Sequence, residues 1–229
     1  MDDVDVSKWI ADSGFNKRAV SRRSGVARTT VDRIIRDVRP AKWDTLEEVA
    51  AACGVELDVV ASPLSEPLAL EAVRVRLEPS YEPSDVEGVE AWTARLQRWQ
   101  EDPADERELE RLAAWAANPG ARKGLRKFSA NHFEALVEGA RRSGADWALS
   151  GSAPSRGEAV GGKSAPVILW AADADAVAEG AEVSESEDGS VWLLPAPLSL
   201  FQNSYEVDGL RYVSKAQARL DAQSLEARA

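Results

Sequence analysis

The stretch FNKRAVSRRSGVARTTVDRIIRD, residues 15–37, decides how the rest of the chain is read. Val31, Ile34, Ile35 and Val38 recur at i, i+3, i+4 and i+7, which is one apolar stripe of an α-helix. That spacing predicts a helix opening at Ala27. Ahead of it, Asn16 is a good cap for a short helix over 17–24, and Gly25 stops that helix. The pattern is therefore two short helices hinged at a glycine, the second of them amphipathic. Upstream, Val4, Trp9 and Ile10 fall near helical spacing and Gly14 ends the turn. Downstream, Pro40 closes the region. Thr45 and Glu48 then stand at capping-box spacing, so TLEEVAAACGV is expected to be a helix that begins at Thr45 and stops at Gly54.

Charge separates this stretch from its surroundings. Between Lys17 and Lys42 there are nine Lys/Arg against Asp32 and Asp37, a net +7, in a chain whose net charge is −11. One basic block on an otherwise acidic protein is the electrostatic footprint of a nucleic-acid contact face. With the hinge beneath it, the block reads as a helix-turn-helix, whose second helix lies in the major groove while its apolar stripe stays in the core. If Val31, Ile34 and Ile35 point inward, then Thr29, Arg33 and Arg36 point outward, with Arg28 and Asp32 at the flank. An arginine there can bind guanine O6 and N7 in bidentate fashion, worth about 1–3 kcal/mol of discrimination, and a threonine can meet a thymine methyl. Asn16 and Lys17 open the preceding helix, where backbone N–H groups favour a phosphate. Arg39 and Lys42 follow the second helix and are expected on the DNA backbone, as are Thr30 and Arg36. Such contacts position the protein without reading sequence.

The segment FNKRAVSRRSGVARTTVDRIIRD…DTLEEVAAACGV resembles the XRE and lambdoid-repressor family over residues ~4–60, about a quarter of the chain. Gly25-Val26 matches the turn, Thr29-Thr30-Val31 the recognition helix, and Thr45-Leu46 the start of the next helix. The resemblance implies that Arg28, Thr29, Asp32 and Arg33 read bases and that Asn16 and Lys17 clamp a phosphate. Two positions depart from the family: Ala27 replaces a capping Ser, and Asp37 stands where a Gly often ends the helix.

Beyond residue 61 the character changes. ASPLSEPLA (61–69) is unpatterned and marks a boundary. LALEAVRVRL, VEAWTARLQRW and ERELERLAAWAA then predict helices from 68 to about 118, and SANHFEALVEGARR (129–142) predicts one more. VILW, VWLLP and LRYV are short β-type runs, and 150–165 reads as a mobile loop. The expected class is α+β: an all-α, five-helix-type domain over 1–63, a helical linker or dimerisation segment over 64–128, and a mixed α/β domain over 129–229.

GADWALSGSAPS (144–155) and YEVDGLRYVSKAQARLDAQSL (205–225) together resemble the C-terminal domain of antitoxin-regulators from type IV, AbiE-like toxin–antitoxin systems. Trp147, Leu149, Ser150 and Gly151 carry the first match; Val213, Ser214, Gln217, Leu220 and Asp221 carry the second, with Lys215 in place of a more usual Pro. The resemblance implies an autoregulating antitoxin that antagonises a toxin protein, with no catalytic role. The alternative is a stand-alone or phage-type repressor whose C-terminal domain senses a ligand or partner. A third reading, a nucleotide-using enzyme with a DNA-binding appendage, rests on two patterns. GEAVGGKS (157–164) matches a phosphate loop literally, but such a loop must follow a strand and open a helix, and here Pro166 and VILW follow. Gly151-Ser152 with Asp173 and Asp175 resembles a nucleotidyltransferase pattern, but with a long gap and no third carboxylate. His132, the only histidine, reads as structural, Cys53 as packing, and the eight tryptophans as core and interface residues.

No apolar run approaches the ~18 residues of a membrane span, the N-terminus MDDVDVSKW has no signal-peptide pattern, and a single cysteine excludes an internal disulfide. The expectation is a cytoplasmic protein without a cofactor or metal. Its expected partners are double-stranded operator DNA, a second copy in a homodimer and a cognate toxin, with no membrane.

Overall fold

In the computed structural model, which describes residues 4–58, 61–151 and 165–226, the chain is α+β and divides into two units, 1–61 and 62–229. Among the described residues no helix is long and apolar enough to cross a membrane.

The first unit holds four helices among its described residues, not the five expected: α1 (Val6–Asp12), α2 (Lys17–Ser24), α3 (Arg28–Arg36) and α4 (Trp43–Ala52). Asp5 caps α1 by accepting from the Lys8 N–H at 3.0 Å. Asn16 caps α2 in the same way through the Ala19 N–H. The start of α4 differs from the expectation. It begins at Trp43 after Lys42, without a side-chain cap, so Thr45 lies inside the first turn and the Thr45–Glu48 capping box is not built. The stripe on α3 behaves as its spacing requires: Val31 and Ile34 are buried and Ile35 is packed beside them. They join Val6, Ile10, Val20, Leu46 and Val49 in one core. Cys53 belongs to the same core, and burial pushes its thiol above the usual range.

The second unit joins the stretches 64–128 and 129–229, which the sequence reading had divided. Three helices come first: α5 (Pro67–Leu77), α6 (Val86–Trp99) and α7 (Glu106–Ala116). The strands β1 (Arg126–Phe128), β2 (Trp147–Gly151), β3 (Val167–Ala171), β4 (Val191–Pro195), β5 (Tyr205–Val207) and β6 (Leu210–Tyr212) form one mixed sheet in the order β1-β4-β3-β2-β6-β5. Helices α8 (Phe133–Ser143) and α9 (Ala174–Ala181) cover one face, and α10 (Lys215–Glu226) packs on the other. Strand β3 is buried at every residue, which is why VILWA is continuously apolar rather than alternating. Val167, Leu169 and Ala171 meet the α8–α9 layer, while Ile168 and Trp170 face the opposite way.

The physical reason for a single unit lies in α5 and α10. Helix α5 buries six consecutive residues, Ala69 to Arg74, so it is covered on all sides; such a helix belongs in an interior. Leu220 of α10 completes the core formed by α5, α6 and α7. Glu110 of α7 also accepts from Arg219 at 2.6 Å and Gln223 at 3.1 Å, tying α10 to the helical layer.

Candidate nucleic-acid interface

The candidate interface is built around one turn. Gly25 lies at φ 70°, ψ 1°, the left-handed conformation that favours glycine, and it reverses the chain between α2 and α3. Two serines fix that reversal. Ser21 Oγ donates to the Val26 carbonyl at 2.6 Å, and Ser24 Oγ accepts from the Val26 N–H at 3.2 Å. Ser24 Oγ also donates to the Val20 carbonyl, so the buried polar atoms of the turn are paired. Their partners are local, which leaves the outer surface of α3 free of obligations to the turn.

That surface carries the residues the sequence singled out. Arg28, Thr29, Arg33 and Arg36 are exposed, and Thr30 and Asp32 are half-buried beside them. Asn16 and Lys17 are exposed at the N-terminus of α2. Asn16 spends its side-chain oxygen on the helix cap, so only its amide NH2 remains to donate to an anion. Arg39 and Lys42 are exposed beyond α3, but Arg39 donates three hydrogen bonds to Asp37, two from its guanidinium at 3.0 and 3.3 Å and one from its backbone N–H at 3.1 Å. Those bonds hold the Asp37 carboxyl below its usual range. Arg33 has no ion-pair partner among the described residues. Among the described residues it is the arginine of α3 whose guanidinium makes neither an ion pair nor a hydrogen bond.

Asp32 organises the centre of the face. Its carboxylate accepts from Lys17 Nζ at 3.0 Å, and Arg28 Nε lies 4.0 Å from its other oxygen. Arg36 Nε donates to its backbone carbonyl at 3.2 Å. The hydrogen bond from Lys17, with the charges of Lys17, Arg28 and Arg36, lowers the Asp32 pKa. The sequence reading gave no role to Arg18 and Arg22, which lie exposed on α2. Nor did it foresee Arg23 stacked over the Phe15 ring at 4.3 Å. Basic residues at helical spacing on α2 were the available signal for the first two; the third depends on where Phe15 folds back.

In the second unit the two distant motifs meet. Ser150 Oγ of WALSG donates to Asp221 at 2.6 Å, and Asp221 also accepts from Trp170 Nε1 at 2.9 Å and Gln217 Nε2 at 2.8 Å. Gln217 Oε1 in turn accepts from the fully buried Arg74 at 3.3 Å. Arg74 donates as well to the carbonyls of Leu200 and Gln202, and pairs with Glu78 at 2.6 Å. Ser150, Gln217 and Asp221 of the matched segments, with Trp170 and Arg74, thus form a buried polar lock between sheet, α10 and α5. Burial pushes the Asp221 carboxyl up, against the three hydrogen bonds and the charge of Arg122, which pull it down. Beside the lock, Glu71, Arg74, Tyr81, Arg122, Trp170 and Gln217 line a cavity of about 20 Å³, room for one water.

The other chemical patterns do not converge. Strands β2 and β3 are antiparallel with Gly151 opposite Val167 and Trp147 opposite Ala171. Asp173 and Asp175 follow the far end of β3, a full strand length from Gly151. Asp173 caps α9 and Asp175 pairs with Arg126 at 3.4 Å, so the glycine and the two aspartates do not face one site. The phosphate-loop match over 157–164, Ser152 and most of the expected 150–165 loop lie outside the described residues. His132 is half-buried in a short 3-10 turn just ahead of α8. Trp92 and Trp170 are buried, whereas Trp43, Trp99 and Trp115 are exposed. No protein-family model, curated protein or solved structure matches the chain.

Proposed function

We propose that the first unit is a double-stranded-DNA-binding helix-turn-helix module and that the protein is a sequence-specific transcriptional repressor. The observation that carries this reading is the exposed cationic surface of α3, held on a buried apolar stripe and flanked by the capped, cationic N-terminus of α2. Arg28, Thr29, Asp32 and Arg33 are assigned to base edges. Asn16, Lys17, Thr30, Arg36, Arg39 and Lys42 are assigned to phosphates. A single module touches one half-site, so a homodimer reading two half-sites about 10 base pairs apart suits the assignment. The net negative charge of the remainder disfavours DNA there and favours docking through the basic block.

The resemblance to AbiE-like regulators makes an autoregulating antitoxin the form of repressor proposed, with the second unit as the part that antagonises a toxin. Its matched residues hold the fold of that unit together through Asp221 rather than forming an open site. The test is binding of the full chain to its own upstream DNA at two salt concentrations, with unrelated DNA as competitor. Selective binding that weakens steeply with salt is expected. Arg33→Ala should cost about 1–3 kcal/mol and relax one base position, and Lys42→Ala, at a phosphate position outside the Lys17–Asp32 pair, should weaken all duplexes alike. No preference over unrelated DNA, or identical behaviour of the two variants, overturns the proposal.

A further inference from the structure

A carboxylate at the centre of a surface meant for a polyanion needs a reason to be there. Asp32 is faced by Lys17 from α2 and by Arg28 and Arg36 from its own helix, and Asp37, the other acid of the basic block, is occupied by Arg39. Stability does not supply the reason, because exposed pairs of this kind contribute little. The arrangement has a different consequence. A residue assigned to phosphate, Lys17, donates a hydrogen bond at 3.0 Å to a residue on the base-reading surface, and one assigned to bases, Arg28, stands 4.0 Å from the same carboxylate.

Resting on the DNA-binding reading, we propose that Asp32 is a specificity-determining residue that works as a latch. It occupies Lys17 in the free protein and releases it only where the opposing base can take over the carboxylate. The base that can do so is cytosine, whose N4 amino group donates in the major groove; guanine O6 and N7 and thymine O4 are acceptors and repel it. Adenine N6 donates too, but the neighbouring N7 acceptor opposes the second carboxylate oxygen. On a cognate site, cytosine N4–H donates to Asp32 as Lys17 moves to a phosphate, so one base contact and one backbone contact form together. On other sequences Asp32 keeps Lys17, and both contacts are forfeited. Discrimination by one residue is thereby enlarged by the phosphate contact coupled to it.

The test uses the full chain, its Asp32→Asn and Lys17→Ala variants and the double variant, with a randomised duplex library and then the selected duplex against a scrambled one. The wild type is expected to select cytosine at one position of each half-site. Asparagine pairs with adenine N6 and N7, so Asp32→Asn should select adenine there. It should also bind the scrambled duplex several-fold more tightly, with a salt slope steeper by about one phosphate as Lys17 is freed. Adding Lys17→Ala should abolish that gain. If the wild type selects a site but Asp32→Asn changes selected and scrambled duplexes by the same factor, the latch is wrong while the DNA-binding reading stands. If the wild type selects no site, both fall. Unchanged circular dichroism and melting of Asp32→Asn separate these outcomes from misfolding.

Discussion

Replacing Asp221 by alanine removes the acceptor of three buried donors at once: the Ser150 hydroxyl, the Trp170 indole N–H and the Gln217 amide. Each buried donor left without a partner costs about 1–3 kcal/mol. Alanine also relieves the cost of burying a carboxylate, so the net loss is expected at about 3–5 kcal/mol, the range for breaking a buried charged network from one side. Asparagine is a gentler change. Its oxygen can still accept from Trp170, but its NH2 meets the Gln217 NH2, and Gln217 cannot turn over freely because its oxygen accepts from Arg74. A loss of about 1–2 kcal/mol is expected from that one mismatch. The two variants also differ from wild type in pH dependence. Burial raises the Asp221 pKa in the folded state above its unfolded value of about 3.9. The native chain therefore holds this proton more tightly, and the group's contribution to stability falls as pH rises from about 4 through the raised value. Asp221→Asn lacks that component. Urea unfolding followed by tryptophan fluorescence across the acid-to-neutral range measures both effects. A loss below about 1 kcal/mol for Asp221→Ala, or the same pH slope in wild type and Asp221→Asn, would refute the reasoning that this carboxylate locks α10 to the sheet.

Further tests address other joints of the fold. Gly139→Leu should destabilise the second unit by about 1–3 kcal/mol or more through overpacking, because a Cβ there would lie 2.6 Å from the Val177 carbonyl where α8 crosses α9; thermal unfolding measures this. Asn16→Ala should cost about 1 kcal/mol by removing the cap of α2, and Asn16→Asp should restore it, as read by urea titration. Cys53, buried with a raised thiol pKa, should react with a thiol-specific dye far more slowly in the native chain than in urea, and faster as pH rises; rapid native labelling at neutral pH would contradict its place in the core.

The candidate interface was legible because its requirements are local. A stripe at Val31, Ile34 and Ile35 fixes by geometry which residues of the same helix stand outside, so the exposure of Thr29, Arg33 and Arg36 follows from the periodicity alone. Gly25 was legible for the same reason, since few other residues reverse the chain at positive φ cheaply. The start of α4 was misread. Thr45 and Glu48 have the spacing of a capping box, but Trp43 already belongs to the helix, and spacing carries no information on which of two nearby residues begins it. The pairing of Lys17 with Asp32 was equally hidden, because it spans fifteen residues and depends on how α2 meets α3.

In the second unit the balance reverses. The sequence by itself determined that helices precede short β-type runs, and that the stretch 17–42 carries a net +7 in a chain of net −11. Only the tertiary structure decided that α5 and α10 close one core, because Leu220 lies over one hundred residues from the helices it packs against. It alone brought Ser150, Trp170, Gln217 and Asp221 together, and with them the reason for two motifs whose residue types had none in isolation. The physical distinction is one of range. Helix faces, caps and turns are set by interactions within a few residues, which a sequence displays. The partner of a buried polar group is set by the path of the whole chain, and the sequence shows only that such a partner must exist.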